Sequence, residues 1–150
     1  MLKKIFFIII ILNLSHCGFT PVLQNNNSLF KITLENFEGN QEINNYLKNN
    51  LYRYSNKDTN KNFIIQTNSK YTKIIAAKDS KGTATNFDLI VEVSFNIFFE
   101  NKNYLYNYRE NFRTQKDSNF YQERNYEENI KKNLASLISK KLILQLSSMK

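Results

Sequence analysis

NFDLIVEVSFNIFFE, from Asn86 to Glu100, carries apolar side chains at Phe87, Leu89, Val91, Val93, Phe95, Ile97 and Phe99. Asn86, Asp88, Glu92, Ser94, Asn96 and Glu100 fill most of the alternate positions. Successive side chains on a strand point to opposite faces, so this period of two predicts a long strand with one buried face. At about 3.3 Å per residue, an unbroken strand over these positions spans about 50 Å.

Working outward, Asp79–Thr83 (DSKGT) reads as a turn, with Gly82 free to take a positive φ. Before it, FIIQTNSKYTKIIAAK (Phe63–Lys78) is strand-like but falters near Asn68–Tyr71, which suggests a bulge there. After the long strand, Asn101–Asn103 supplies a second turn. YLYNYRENFRT then sets Tyr104, Tyr106, Tyr108 and Phe112 against Asn107, Arg109, Asn111 and Arg113. These three segments form an antiparallel meander.

Two helices flank it. LFKITLENF (Leu29–Phe37) is a further half-buried strand, stopped at Gly39, and Asn40 is placed as a helix N-cap. Ile43, Tyr46, Leu47, Leu51 and Tyr54 then recur by threes and fours, as on one face of a helix. From Gln122, Tyr126, Ile130, Leu134, Leu137, Ile138, Leu142 and Leu146 repeat this spacing. Glu123, Glu127 and Glu128 occupy the first turns, where the helix dipole favours negative charge. This helix covers about 37 Å, less than the long strand, so the hairpin ending near Lys78–Thr85 is expected to overhang the helical layer. The order β-α-β-β-β-α predicts an α+β two-layer sandwich. It has a four-stranded, mostly antiparallel sheet with two helices packed on one face.

The start of the chain is of another kind. Lys3 and Lys4 precede an apolar run, Ile5–Leu14, broken only by Asn13. That is about half of the roughly 20 residues a spanning helix needs, and it fits an export signal over residues 1–16. Leu14-Ser15-His16-Cys17 then reads as a lipobox, with His16 departing from the usual very small residue before the cut. Cleavage there makes Cys17, the sole cysteine, the lipidated mature N-terminus, and residues 17–28 a tether. The folded domain occupies residues 29–150. Loss of Lys3 and Lys4 lowers the net charge from +8 to +6.

The composition narrows function. The mature chain has no histidine, no tryptophan and no free thiol once Cys17 is acylated. Asp79 and Asp88 lie near a turn without a cleft to share. No catalytic residue, metal ligand or cofactor is therefore assigned, and the chain reads as a non-enzyme. Basic charge interleaved with aromatics also occurs in single-stranded nucleic-acid binders, but export removes that partner.

Several segments together resemble the LptE family of lipopolysaccharide-assembly lipoproteins. These are Cys-Gly-Phe-Thr-Pro (Cys17–Pro21), KGTATNFDLIVEVSFNIF, and QERNYEENIKKNLASLISKKLILQL. The resemblance implies the same two-layer fold and a lipid-anchored protein on the periplasmic face of the outer membrane. It also implies a role as a plug that assists assembly of an LptD-like β-barrel and binds lipopolysaccharide. It points to basic contacts at the hairpin tip, here Lys78 and Lys81. Ser80 stands where a base is expected. A second basic contact just before Glu123 is replaced by Phe120 and Tyr121, with Lys116 the nearest substitute. Asp79, Ser80, Gly82 and Thr83 are the expected partner-contact residues. The alternative is an envelope lipoprotein serving as an interaction subunit of a different outer-membrane complex.

Overall fold

The computed structural model describes residues 30–56 and 59–149. The expected export signal, Cys17 and the expected tether lie outside the described residues. β1 (Lys31–Gly39) leads into α1 (Gln41–Leu51), which ends in a single 3₁₀ turn, Tyr52–Tyr54. There follow β2 (Asn62–Lys78), β3 (Ala84–Phe99), β4 (Lys102–Gln115) and α2 (Phe120–Ser148). The four strands lie side by side in chain order. β1 runs parallel to β2, while β2–β3 and β3–β4 are antiparallel. The expected α+β sandwich is thus the observed fold.

The junction between β1 and α1 shows how local chemistry sets this topology. Gly39 has φ 88°, a conformation that costs side-chain-bearing residues. Asn40 caps α1, its Oδ1 accepting from the Ile43 N–H at 3.0 Å. Beneath the junction, buried Asn44 donates to the Glu38 carbonyl at 3.0 Å and accepts from the Ser69 hydroxyl at 2.6 Å. Most buried polar groups are satisfied in this way, and here Asn44 and Ser69 tie β1, α1 and β2 together.

One face of the sheet meets both helices. Ile32, Phe63, Ile65, Leu89, Val91, Val93, Phe95 and Ile97 pack with Ile43, Leu47 and Leu51 of α1 and with Ile138, Leu142 and Leu146 of α2. Full burial of each such side chain contributes about 1.5–3 kcal/mol. The opposite face is mainly polar, with rows such as Asn68–Ser94–Asn107 and Lys70–Glu92–Arg109 brought abreast by the strand register, and it also exposes Ile74, Phe98 and Leu105.

Four details differ from the sequence reading. The β2–β3 ladder is regular through Asn68–Tyr71, and its register shifts instead at Ile75–Lys78, near the tip. A second shift falls in β1 between Leu34 and Asn36. The β3–β4 turn consists of Glu100 and Asn101, at φ 49° and 61°, between the paired residues Phe99 and Lys102. Two left-handed residues match the twist of a tight hairpin. Finally, α2 starts two residues early at Phe120, because Asn119 Oδ1 accepts from the N–H groups of Tyr121 and Gln122. Its buried stripe includes Ala135, Ser139 and Ile143, while Tyr126 and Leu137 are 52% and 45% exposed.

The overhang is present. β2 has 17 residues and so spans about 56 Å, against about 43 Å for the 29-residue α2. Between Tyr71 and Asp88 no residue of the hairpin is fully buried.

Candidate functional site

The hairpin tip is a tight, self-contained turn. Asp79 organises it: its carbonyl accepts from the Gly82 N–H at 3.0 Å, and its Oδ1 accepts from the N–H groups of Lys81 and Thr83, both at 2.9 Å. Asp79 N–H in turn donates to the Thr83 carbonyl at 2.9 Å. Gly82 has φ 82° and open space where a Cβ would stand, so its role is conformational rather than steric. Lys78, Asp79, Ser80, Lys81, Gly82 and Thr83 are all exposed. With the Asp79 carboxylate committed to the turn, the side chains of Lys78 and Lys81 have no hydrogen bond or ion pair among the described residues.

Lys116 is drawn to the same end by strand pairing. β4 follows β3 to the Asn86–Gln115 pair, and the Lys116 N–H then donates to the Thr85 carbonyl at 2.8 Å. Lys78 pairs with Ala84 on the other side of β3. The three lysines named from sequence therefore share one end of the sheet, and Lys116 is likewise unpaired among the described residues.

The neighbouring cations are neutralised. Arg113 holds Asp88 through two parallel bonds, Nε–Oδ1 at 2.7 Å and Nη2–Oδ2 at 2.9 Å. The guanidinium keeps the Asp88 carboxyl below its usual range. Lys73 binds Glu123 at 2.9 Å and Glu127 at 2.8 Å, joining β2 to the first turns of α2. Tyr71 donates to Glu127 at 2.6 Å. Lys131 lies 2.8 Å from Glu42 and 3.6 Å from Glu127, which extends the network to α1. Partial burial pushes the Glu127 pKa up, but the bonds from Lys73 and Tyr71 outweigh it, and the net shift is downward. Sequence alone assigns these glutamates to the helix dipole; their partners on β2 come from distant positions that no local spacing signals.

Other named residues settle into structural roles. Tyr104, Tyr106 and Tyr108 are partly buried against the core. Asp79 and Asp88 serve the turn and Arg113 respectively and form no carboxylate pair. Phe120 and Tyr121, which stand where the resemblance places a base, are 78% and 71% exposed. No helix among the described residues is long and apolar enough to cross a membrane.

The family model for LptE, described as lipopolysaccharide-assembly, matches residues 29–146. The chain belongs to the LptE family. That match covers nearly all of the sandwich, from the start of β1 to the last buried turn of α2. LptE is a family of non-enzymatic lipopolysaccharide-assembly lipoproteins, in keeping with the non-enzyme reading of the sequence. No curated protein sequence matches the chain.

Solved structures agree on the fold. Rare lipoprotein B from Shewanella oneidensis is similar at TM-score 0.58 and 13% identity, over 77% of this chain and 91% of that one. A lipoprotein B from Nitrosomonas europaea gives TM-score 0.56 at 14% identity, over 79% and 83%. A minor lipoprotein from Acinetobacter baumannii gives 0.52 at 14% identity, over 77% and 92%.

Proposed function

We propose that this LptE-family protein is anchored by acylated Cys17 to the periplasmic face of the outer membrane. There it plugs and assists assembly of an LptD-like β-barrel, and binds lipopolysaccharide during insertion into the outer leaflet. The observation that carries the binding role is the hairpin end. Lys78, Lys81 and Lys116 share that end of the sheet and make no ion pair among the described residues, while Arg113 and Lys73 nearby are paired. Charge-assisted hydrogen bonds to phosphate are about twice as strong as neutral ones, and unpaired lysines lose no existing partner to make them. The overhang supports the plug role, because an element projecting beyond its own core is free to enter another protein.

The test is lipopolysaccharide binding by the double variant Lys78→Glu/Lys81→Glu, measured across a salt series. Binding weaker than wild type, with a flatter salt dependence, is expected. Unchanged binding removes the hairpin tip from the site.

A further inference from the structure

A wide cleft lies between the end of β4 and the start of α2, with a volume of about 820 Å³. That is within the roughly 300–1,000 Å³ of small-molecule sites. Its aromatic residues, Phe112 and Tyr126, are 40% and 52% exposed and meet edge to face at 6.4 Å. A core-facing pair would be buried; this one leaves ring surface open to the cleft.

The polar lining divides sharply. Arg113 and Glu123 are already spent on Asp88 and Lys73. Gln115, Ser118, Lys116 and the Tyr126 hydroxyl make no side-chain hydrogen bond among the described residues. Asp117 uses one oxygen, Oδ1, to accept from the Asn119 N–H at 2.8 Å. Its charge offsets that of Lys116, so the cleft carries little net charge. What it offers is open aromatic surface, an amide, two hydroxyls, a carboxylate oxygen and one ammonium.

We infer that this cleft is a saccharide subsite, holding a sugar ring of the lipopolysaccharide headgroup beside the basic hairpin. A pyranose has an apolar C–H face that packs on aromatic rings and a rim of hydroxyls that both donate and accept. A fatty chain would leave the free amide, hydroxyls and carboxylate unpaired, which is costly. A bare phosphate would leave the rings unused and would face Asp117. The division of labour is then geometric: Lys78 and Lys81 take phosphates, and Phe112 and Tyr126 take the adjoining sugar. The inference rests on the lipopolysaccharide-binding reading above.

The test uses two probes on the mature protein: intact lipopolysaccharide, and the same material with its acyl chains removed. Wild type is expected to bind both. Phe112→Ala and Tyr126→Ala are each expected to weaken binding of the de-acylated probe about fivefold, with the salt dependence unchanged. Gln115→Ala, an exposed strand-end change that leaves the fold intact, is expected to weaken it about threefold, in the range of one lost hydrogen bond. If the de-acylated probe binds all three variants as it binds wild type, the saccharide subsite is wrong, while lipopolysaccharide binding through the lysines stands. If only the intact probe binds wild type, acyl chains and not sugars are held, and the inference again fails alone. If neither probe binds, the reading beneath it fails as well.

Discussion

Gly39 passes so close to Ser69 that a Cβ on the glycine would stand 1.9 Å from the Ser69 carbonyl oxygen. The contact is part of the bond pattern that turns β1 into α1, since the same carbonyl accepts from the Asn40 N–H at 2.9 Å. Gly39→Ala must therefore break this junction as well as strain a backbone at φ 88°. A loss of about 3 kcal/mol or more is expected in denaturant unfolding. Gly82→Ala has open space around it and meets only the left-handed backbone cost, about 1 kcal/mol. Equal effects of the two substitutions would contradict the close approach.

The buried stripe of α2 can be checked by truncation. Leu142 is fully buried, and Leu142→Ala is expected to cost about 2–5 kcal/mol. Leu137 sits on the outer side of the helix, so Leu137→Ala is expected to stay within about 0.5 kcal/mol of wild type. The reverse ranking would mean that the helix is rotated on the sheet.

Acid stability should depend on Glu127. Its pKa in the fold is depressed below its ordinary 4.5, so the ionised form stabilises the protein. That contribution is complete above 4.5 and fades as pH falls below it, through the lowered value. Glu127→Gln keeps a partner for Tyr71 but loses the Lys73 and Lys131 pairs. A cost of about 1 kcal/mol at neutral pH is expected, shrinking toward zero at low pH. Thermal melts of both proteins from neutral pH down through the carboxylate range measure this. A constant difference would deny the glutamate its role.

Glu100 occupies a left-handed position, φ 49°, in the β3–β4 turn. Such a conformation costs most side-chain-bearing residues about 1–2 kcal/mol, and glycine or asparagine much less. Glu100→Gly is expected to raise the unfolding midpoint, and a lowered one would imply a contact made by the glutamate that outweighs this strain.

How legible the fold is in the sequence follows from how local each signal is. The alternation from Phe87 to Phe99 identifies β3 because a strand's faces repeat within two residues. Gly39-Asn40 identifies the start of α1 because a cap is decided over four residues. In α2, however, steps of three and four fit both the Ile130–Leu134–Ile138–Leu142 stripe and one through Leu137. Only packing against the sheet chooses between them, and it buries Ala135 and Ser139 rather than Leu137. The misplaced bulge has a similar origin: Ser69 looks like a break in the apolar pattern, yet its hydroxyl is satisfied by Asn44 and Asn40.

At the proposed site, the turn that carries Lys78 and Lys81 is readable locally, while their assignment to lipopolysaccharide comes from the resemblance to LptE. The position of Lys116 depends on how far β4 follows β3, and the Phe112–Tyr126 cleft on where α2 returns to β4. Neither is a local property. The spacing of Tyr126 fits the core stripe, although its side chain faces the cleft.

Processing at Cys17 offers a separate check on the anchor. Mass spectrometry of the mature protein is expected to find Cys17 as the first residue with acyl chains attached. An unmodified thiol, or a retained Met1, would remove the lipid tether.

Affinity purification of the mature protein from detergent-solubilised outer membranes tests the assembly role most directly. The account predicts recovery of a large β-barrel protein in stoichiometric amount, lost when the β2–β3 hairpin is shortened. Recovery of soluble periplasmic proteins alone, with no barrel, would contradict it.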